Sequence, residues 1–429
     1  MDKFEKMKEK AEALDAQDPL RKFREQFVTQ QGRIYMDGNS LGLPAKESID
    51  GVLRVIEEWK TLNIDGWLKG KIPWFIMPEE LGRRMAPLVG ALPEEVVMSG
   101  STTSNLHSLV STFYQPEGKR RKILADELNF PSDLYALASQ IRLKGGDPAE
   151  DLILAKSRDG NTLEEDDIIA LMDETVSVAI LPSVLYRSGQ LLDMEKLTRS
   201  AHEKGIFIGF DCAHSVGAVL HRLHDWDVDF AFWCSYKHLN GGPGSPAFLF
   251  LHEKHFGREP GLAGWFGYVK EKQFDMEILF EHAKSAGGWQ MGTPCVLSAA
   301  TLEAALKIQQ EATIEKIREK SLKLTDFLIE LVDTFLSDEP YCYSIATPRE
   351  HERRGGHLAI EHPKEAWRIC CALKARGIIP DFRPPRIIRV APVALYNTFT
   401  EVWEVARALK EIIENKDFER FPKERSAVS

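Results

Sequence analysis

The 429-residue chain lacks long apolar runs, paired cysteines and an excess of positive charge. Its apolar runs are far shorter than the roughly 20 residues that a membrane-spanning helix needs. The six cysteines form no CxxC pair, which favours unpaired thiols in a reducing compartment over disulfides or zinc. A net charge of −10 disfavours a nucleic-acid binder. Because the N-terminus also lacks the apolar core of a signal peptide, we expect a cytoplasmic protein without a membrane or nucleic-acid partner.

What the chain has instead is an alternation of short apolar runs and helical segments. This alternation predicts a mainly parallel, mixed sheet that helices cover on both faces. Buried strands are predicted at 96–98, 122–125, 176–181, 206–210, 230–233 and 247–251, with helices at 133–143, 163–173 and 193–204.

The pattern changes near residue 295. A long helix is predicted over 297–335, then strands at 357–360 and 387–390 and helices at 363–376 and 400–414. The length and this change predict an α/β protein with two domains. We expect a large domain over 46–296, a smaller α+β domain over 297–429, and an N-terminal segment, 1–45, that packs with the small domain.

Asp211 and Lys237 each follow an apolar run of the predicted large sheet. Open α/β sheets bind ligands at the carboxyl ends of their strands. A lysine there can hold pyridoxal 5′-phosphate (PLP) as a Schiff base, while an aspartate keeps the pyridine nitrogen protonated, so that the ring acts as an electron sink. The alternatives are a surface lysine and an aspartate that caps its strand. His214 is either a cofactor contact or a structural histidine.

A hydroxyl-rich junction, Ser99-Gly100-Ser101-Thr102-Thr103-Ser104-Asn105, joins a predicted strand to a helix. Helix N-termini bind anions, so the junction predicts a phosphate site, with an ordinary N-cap as the alternative. The segment Phe130-Pro131-Ser132-Asp133 offers an aromatic ring that could stack on the pyridine, or it is a plain loop. Ser183, just past a strand, is a further polar candidate. Trp265 offers an indole donor, or it is a core residue.

Arg389 lies inside the apolar run Ile387-Ile388-Arg389-Val390. A buried arginine is costly unless an anion pairs with it. The carboxylate of an amino-acid substrate could be that anion, because a guanidinium binds it bidentately. The alternative is an ion pair within the protein.

Two motif matches are weaker. Gly38-Asn39-Ser40-Leu41-Gly42 fits the G-x-S-x-G elbow of α/β-hydrolases, but it precedes most of the sheet, so a turn that reaches the active site is expected. His252-Glu253-Lys254-His255 does not have HExxH spacing, and we expect it to be exposed.

Together these motifs resemble the kynureninase family, fold-type-I PLP enzymes of the aspartate aminotransferase superfamily. The similarity covers nearly the whole chain, and its most specific parts are Gly264-Trp265-Phe266-Gly267 and Ile388-Arg389-Val390-Ala391-Pro392. Further matches are Gly38–Gly42, Thr102-Thr103, Phe130–Asp133, Asp211-Cys212-Ala213-His214, Ser235-Tyr236-Lys237-His238, Gly292-Thr293-Pro294 and Leu395-Tyr396-Asn397.

The resemblance implies a homodimer and a role for each matched residue. Lys237 would form the Schiff base, Tyr236 would contact the phosphate and take part in acid–base steps, and Arg389 would bind the substrate carboxylate. Trp265 and Thr293 would reach the phosphate across the dimer interface. Other implied contacts are Thr102, Thr103, Phe130, Pro131, Ser132, Asp133, Ser183, Asp211 and His214 with the cofactor, and Ser40 and Trp67 with the substrate.

The implied reaction is the hydrolysis of the Cβ–Cγ bond of L-kynurenine, or of 3-hydroxykynurenine, in tryptophan catabolism or NAD biosynthesis. The products are anthranilate, or 3-hydroxyanthranilate, and L-alanine, and no metal is needed. Asp65-Gly66-Trp67-Leu68 lacks the histidine that animal members carry beside the aryl ring, and Thr293 stands where they have asparagine. The chain thus resembles the bacterial form, which implies a preference for L-kynurenine.

Three other functions compete with this one. A cysteine desulfurase or class V aminotransferase would share the fold, but a desulfurase needs a mobile cysteine, and we expect Tyr341-Cys342-Tyr343 to be a strand. A serine esterase would use Ser40. A non-catalytic sensor of PLP or kynurenine is disfavoured by the acidic charge and the lack of an appended DNA-binding segment.

Overall fold

The computed structural model describes residues 3–424. Its strands are β1 (Ile34–Tyr35), β2 (Val96–Met98), β3 (Lys122–Asp126), β4 (Leu152–Ala155), β5 (Val176–Pro182), β6 (Phe207–Asp211), β7 (Phe230–Trp233), β8 (Phe248–Leu251), β9 (Ser344–Ile345), β10 (Leu358–Glu361), β11 (Ile378–Ile379), β12 (Asp381–Arg383) and β13 (Ile387–Val390). Its α-helices are α1 (Lys3–Ala16), α2 (Lys46–Leu62), α3 (Gly66–Lys69), α4 (Met77–Met85), α5 (Thr102–Phe113), α6 (Pro131–Leu143), α7 (Pro148–Asp151), α8 (Glu165–Ala170), α9 (Met194–Glu203), α10 (Val296–Ala299), α11 (Leu302–Ala312), α12 (Ile314–Phe335), α13 (Ala366–Ala375) and α14 (Phe399–Glu414). Within 3–424, no helix combines the length and apolar character that crossing a bilayer requires.

The large sheet has seven strands in the order β2-β8-β7-β6-β5-β3-β4. Strands β3 to β7 are parallel, and β8 is antiparallel to its neighbours β7 and β2. The predicted α/β class with a mainly parallel, mixed sheet is therefore confirmed. Strands β3, β5 and β6 end at one edge with Asp126, Pro182 and Asp211, and Pro182 lies beside Asp211 in the parallel register.

Both faces of this sheet are buried, which explains its continuous apolar strands. Ile123 and Ala125 of β3 lie in one core with Leu109 of α5 and Leu137 of α6. Leu124, between them, lies in the core of the opposite face. Side chains along a strand alternate between faces, so covering both faces requires apolar residues at every position.

A smaller antiparallel sheet, in the order β12-β13-β10-β9, lies in the C-terminal part of the chain. Helices α12, α13 and α14 pack with it around a second core, which Phe4 and Ala11 of α1 join beside Trp403. Strand β1 also pairs in parallel with β11. The division into 1–45, 46–296 and 297–429 remains our proposal for the domains.

The long helix predicted over 297–335 is wrong, because the chain forms α10, α11 and α12 there. Thr313, between α11 and α12, has φ 63° and ψ 140°, a conformation that interrupts the helical hydrogen-bond ladder. Strand β4 was not predicted. It is an edge strand of the large sheet and is only partly buried, so its sequence carries a weak apolar signal.

Two smaller expectations are also wrong. His252 and His255 are buried rather than exposed, because His255 Nε2 lies 2.7 Å from Asp229 Oδ1 and His252 lies against Glu95. Tyr341-Cys342-Tyr343 is not a strand, since β9 begins at Ser344 and Cys342 has φ 55°. Cys342 is therefore part of a turn before β9.

Candidate active site

A cavity of about 450 Å³ opens at the carboxyl edge of the large sheet. Strand β6 brings Asp211 to it, and the segment after β7 brings Tyr236 and Lys237. The predicted site residues that line it are Thr102, Thr103, Phe130, Ser132, Asp133, Asp211, His214, Tyr236 and Lys237. Residues far apart in the sequence therefore meet in one place, as expected for a sheet with parallel strands.

Asp211 is a nearly buried carboxylate at the end of β6. Its Oδ1 accepts a hydrogen bond of 2.8 Å from the backbone N–H of Ala213. Burial raises the pKa of Asp211, while the positive charge of Lys237 opposes that rise. Burial also raises the pKa of Asp133 well above its usual range, and the charge of Asp211 raises it further. Burial and the neighbouring carboxylate thus both favour the protonated form of Asp133.

Lys237 lies beside a neutral histidine. Its Nζ is 2.9 Å from Nε2 of His214. Burial lowers the pKa of His214 well below its usual range, and the lysine's charge lowers it further. The imidazole is therefore uncharged at neutral pH and can accept a hydrogen bond from the lysine amino group.

The phosphate candidate is the N-terminus of α5. Ser101 caps this helix, and its hydroxyl accepts from the backbone N–H of Ser104 at 3.2 Å. Gly100, before the cap, has φ 45°, which glycine adopts without strain. Thr103 Oγ1 lies 2.9 Å from Ser132 Oγ at the start of α6. Hydroxyl groups and unpaired first-turn N–H groups thus meet at one end of the cavity, which suits a phosphate.

An aromatic wall lies beside the cavity. Phe130 is 42% exposed, and its ring meets that of Tyr186 edge to face at 5.3 Å. Pro131 follows at the first position of α6, so its ring sets the start of that helix. A flat ligand ring can stack on the open face of Phe130.

These groups fit PLP. The cavity joins a lysine amine, a buried carboxylate for the pyridine nitrogen and a helix N-terminus for the phosphate. Nδ1 of His214 and one oxygen of Asp133 are buried with no hydrogen-bond partner among the described residues. Buried polar atoms are nearly always satisfied, so these two are suited to a bound polar group.

Ser183 is placed behind the cavity rather than in its wall. Its side chain is fully buried, and it donates to the backbone carbonyl of Asp211 at 3.0 Å. It also lies 2.6 Å from the hydroxyl of Ser215. Ser183 therefore supports the aspartate from behind.

Trp265 and Thr293 lie outside the cavity of their own chain. The indole of Trp265 donates to the backbone carbonyl of Gln273 at 3.1 Å. Thr293 lines an open, apolar groove of about 560 Å³ together with Trp67, Trp59 and Trp74. The structure thus brings Thr293 and Trp67 to the same groove.

Arg389 is 1% exposed and is held by protein groups on two sides. Its Nη1 donates to the backbone carbonyl of Tyr186 at 2.6 Å, and its Nη2 donates to the Ser40 hydroxyl at 2.9 Å. Nη2 also forms an ion pair with Asp381. The internal ion pair that the sequence offered as the alternative is therefore present, and Tyr186 connects Arg389 to the cavity wall.

The Gly38–Gly42 segment is a turn that contacts the segment of Tyr236 and Lys237 at the cavity. The N–H of Gly42 donates to the carbonyl of Tyr236 at 2.7 Å. A Cβ at Gly42 would collide with the carbonyl of Lys237, so the close approach requires glycine. The same turn contains Ser40, whose hydroxyl accepts a hydrogen bond from Arg389.

Sequence reasoning missed several residues of the site. Cys234, Ser245 and Cys295 line the cavity, and Asp381 pairs with Arg389. Glycines at positions 241, 242 and 244 precede Ser245, and such a turn is a signal for a close backbone approach. No pattern in the sequence pointed to Cys295 or Asp381.

The sheet topology, with a lysine and an aspartate at its carboxyl edge, defines a fold-type-I PLP-dependent enzyme. Solved structures with this fold include an apo cysteine desulfurase from Thermococcus onnurineus, with a TM-score of 0.77 and 18% identity over 92% of this chain and 98% of that one. A cysteine desulfurase from Escherichia coli has a TM-score of 0.75 and 17% identity over the same shares. Identities this low show the fold alone.

The chain is much more similar in sequence to the proteins of one family than to these solved structures. The profile described as "Kynureninase C-terminal domain" matches residues 317–409. The kynureninase of Shouchella clausii is 58% identical over 98% of both chains, and that of Geobacillus thermodenitrificans is 56% identical over 98% of this chain and 97% of its own. The kynureninase of Bacillus anthracis is 53% identical over 99% of both. The chain belongs to the kynureninase family, and it is a hydrolase whose cofactor is PLP.

Proposed function

We propose that the chain hydrolyses the Cβ–Cγ bond of L-kynurenine to anthranilate and L-alanine, with Lys237, Asp211 and Tyr236 as catalytic residues. The observation that carries this proposal is the meeting of these residues with the N-terminus of α5 around one cavity. The chain's membership of the kynureninase family supports the choice of substrate. When bound, PLP supplies an electron sink for negative charge at the substrate's α-carbon.

Separate residues would hold each part of the cofactor. Lys237 would hold it covalently, and the carboxylate of Asp211 would face the pyridine nitrogen. Ring contacts are assigned to Phe130 and His214. Phosphate contacts are assigned to Thr102, Thr103 and Ser132 at the hydroxyl-rich end of the cavity. Pro131 and Asp133, on either side of Ser132 in the sequence, are assigned further cofactor contacts. We assign Ser183 an indirect role, because it bonds to the backbone of Asp211.

Lys237 is the base that takes the α-proton. Nζ of Lys237 lies 2.9 Å from His214 Nε2, so the imidazole can accept an N–H of the lysine and fix the direction of its nitrogen. The lowered pKa of His214, caused first by burial and then by the charge of Lys237, keeps the imidazole in its accepting form. His214 thereby orients the nitrogen that moves the proton.

Tyr236 is the acid at the γ-carbonyl. Burial raises the pKa of Tyr236, and the nearby thiol of Cys234 raises it further. The phenol therefore stays protonated across the neutral pH range. It can donate its Oη proton to the carbonyl oxygen as water adds to the carbon.

The substrate's two ends have different proposed partners. The α-carboxylate is assigned to Arg389, with Ser40 beside it, because a guanidinium offers parallel N–H donors to a carboxylate. The aryl ring is assigned to Trp67. The segment of Trp67 lacks the histidine that could contact a 3-hydroxyl group on the aryl ring. We therefore propose a preference for L-kynurenine over 3-hydroxykynurenine. The corresponding physiological role is in tryptophan catabolism, with pyridine nucleotide synthesis as the second possibility.

We propose that the protein is a homodimer in which Trp265 and Thr293 complete the partner subunit's site. Trp265 is 44% exposed, and close to it in sequence Phe274, Ile278 and Leu279 are 68%, 98% and 84% exposed. Large exposed apolar side chains mark interaction surfaces. Thr293 and Trp67 share an apolar groove, which is consistent with both serving one aryl site at the interface.

The reaction can be tested by the fate of water oxygen. In oxygen-18 water, hydrolysis places the label in the carboxylate of anthranilate, because water attacks the carbonyl carbon. Mass spectrometry of anthranilate after a single turnover measures this, and L-alanine should form in equal amount. Unlabelled anthranilate, or turnover without anthranilate, contradicts the proposed reaction.

A further inference from the structure

Arg389 is a buried charge whose geometry depends on a carboxylate. Its guanidinium is fully enclosed. Burial lowers the pKa of Arg389, and the charge of Asp381 opposes that effect most strongly. A buried guanidinium without a counter-charge would be strongly unfavourable. Asp381 supplies the larger counter-charge and Asp37 a smaller one.

The backbone places Asp381 opposite Arg389. Strands β12 and β13 are antiparallel, and Asp381 and Arg389 are direct partners in the register. Asp381 is itself 5% exposed. Neighbouring side chains of such cross-strand pairs point to the same face of the sheet, so the ladder fixes where the carboxylate meets the guanidinium.

A second arginine holds the carboxylate. The Nε of Arg383 donates to Oδ2 of Asp381 at 2.8 Å, and the same oxygen pairs with Nη2 of Arg389. Asp381 therefore stands between two guanidinium groups of one β-hairpin. Its position is fixed from both sides.

The other hydrogen-bond partners of Arg389 are neutral. Nη1 donates to the backbone carbonyl of Tyr186, and Nη2 donates to the hydroxyl of Ser40. A hydroxyl and a carbonyl hold a guanidinium less strongly than a carboxylate does. Of the protein groups that set the plane of the Arg389 fork, Asp381 is thus the strongest.

We propose that Asp381 is a positioning residue for the substrate's α-carboxylate. It holds the guanidinium of Arg389 in the orientation that receives the carboxylate, without touching the substrate itself. This inference rests on the proposed function, in which Arg389 binds that group. Asp381 then acts on substrate affinity and leaves the reacting atoms at Lys237 unaffected.

The test is Asp381→Asn, which keeps the side chain's shape and removes its charge. We expect KM for L-kynurenine to rise about tenfold, with kcat changing by less than about twofold, because a charge-assisted bond is lost away from the chemistry. The dissociation constant of L-alanine, followed by the cofactor's visible absorption, should rise by a similar factor. Alanine carries the same carboxylate and lacks the aryl ring.

The matched control is Asp333→Asn, which removes a carboxylate paired with Arg349 on the surface of the same part of the chain. It should leave KM and alanine binding unchanged. If Asp381→Asn lowers the melting temperature but leaves KM and alanine binding at wild-type values, the ion pair is only structural and the proposal is wrong.

A further pair of variants separates the possible failures. Arg389→Lys should raise KM, because a point charge does not replace a planar fork. An unchanged KM in Arg389→Lys contradicts the assignment of Arg389 to the substrate. If KM rises in Arg389→Lys but is unchanged in Asp381→Asn, the assignment of Arg389 stands and only the proposed role of Asp381 is wrong. If Asp381→Asn does not fold, Asp381→Glu moves the charge by one methylene, and an unchanged KM in that variant also overturns the proposal.

Discussion

The amino nitrogen of Lys237 lies 2.9 Å from Nε2 of His214. Burial, followed by the charge of the lysine, lowers the pKa of this histidine. The contact therefore joins an amine to a neutral imidazole. It gives the lysine nitrogen a fixed acceptor on one side and so sets its orientation.

Replacing His214 with Phe should lower kcat by about 100-fold, because Lys237 loses the acceptor that orients its nitrogen. Bound cofactor should remain, as judged by visible absorption. The matched control is His362→Gln, at a buried histidine that directly follows β10, which should keep kcat within about twofold of wild type. A wild-type kcat in His214→Phe would show that the contact has no part in proton transfer.

Tyr236→Phe should reduce kcat by about 100-fold or more, because it removes the Oη proton assigned to the γ-carbonyl. Steady-state kinetics at saturating PLP measure the change, and the fraction of bound cofactor is determined on the same samples. Tyr135→Phe, at a position that is 72% exposed, is the control. If added PLP restores full activity to Tyr236→Phe, the tyrosine only binds the cofactor.

Asp229→Asn should lower the free energy of unfolding at pH 7 by about 3 kcal/mol, because it breaks a buried ion network. Burial alone would raise the pKa of Asp229, but hydrogen bonds from His202 and His255 and the charge of Lys254 hold it below its usual value. The folded pKa thus lies below the unfolded value of about 3.9. The stabilisation is complete above that value and is lost as the pH falls through the folded pKa.

Urea titrations at neutral pH and near pH 3, which lies below the unfolded pKa, measure this effect. The difference between wild type and Asp229→Asn should be largest at neutral pH and should shrink on acidification. Asp333→Asn, at a surface ion pair, should shift the free energy of unfolding by no more than about 1 kcal/mol. An equal loss at both pH values in Asp229→Asn would mean that packing, rather than charge, is responsible.

Subunit exchange tests whether Trp265 serves the partner subunit's site. Lys237→Ala and Trp265→Ala proteins should each be nearly inactive alone. A mixed dimer would contain one complete site, with Lys237 from one subunit and Trp265 from the other, so an equal mixture should recover about a quarter of wild-type activity. If Trp265 acts within its own chain, no mixed dimer has a complete site, and the mixture stays inactive.

Much of the fold was predictable from the sequence because its signals are local. Strands β5 and β7 are apolar at every position, which is what a sheet buried on both faces requires. The break at Thr313 was not predictable, since threonine has no marked preference for the conformation that ends α11. Edge strand β4 could not be predicted because it is only partly buried, and its sequence therefore lacks a clear strand pattern.

A residue of the candidate site could be predicted from the sequence where it directly follows the apolar run of a single strand. Asp211 follows this rule directly. Asp381 does not, because its role arises from an antiparallel register with Arg389 that no single segment encodes. Cys295 and the pairing of Lys237 with His214 likewise depend on tertiary placement.

The most direct test of the central claim is to add L-kynurenine to the purified, PLP-loaded protein and follow the fluorescence of anthranilate, with Lys237→Ala as the paired control. We expect a steady rise in fluorescence for the wild type and none for Lys237→Ala, whose visible cofactor absorption should also be altered. A wild type that releases no anthranilate, or a Lys237→Ala protein that releases it at the same rate, would contradict the account.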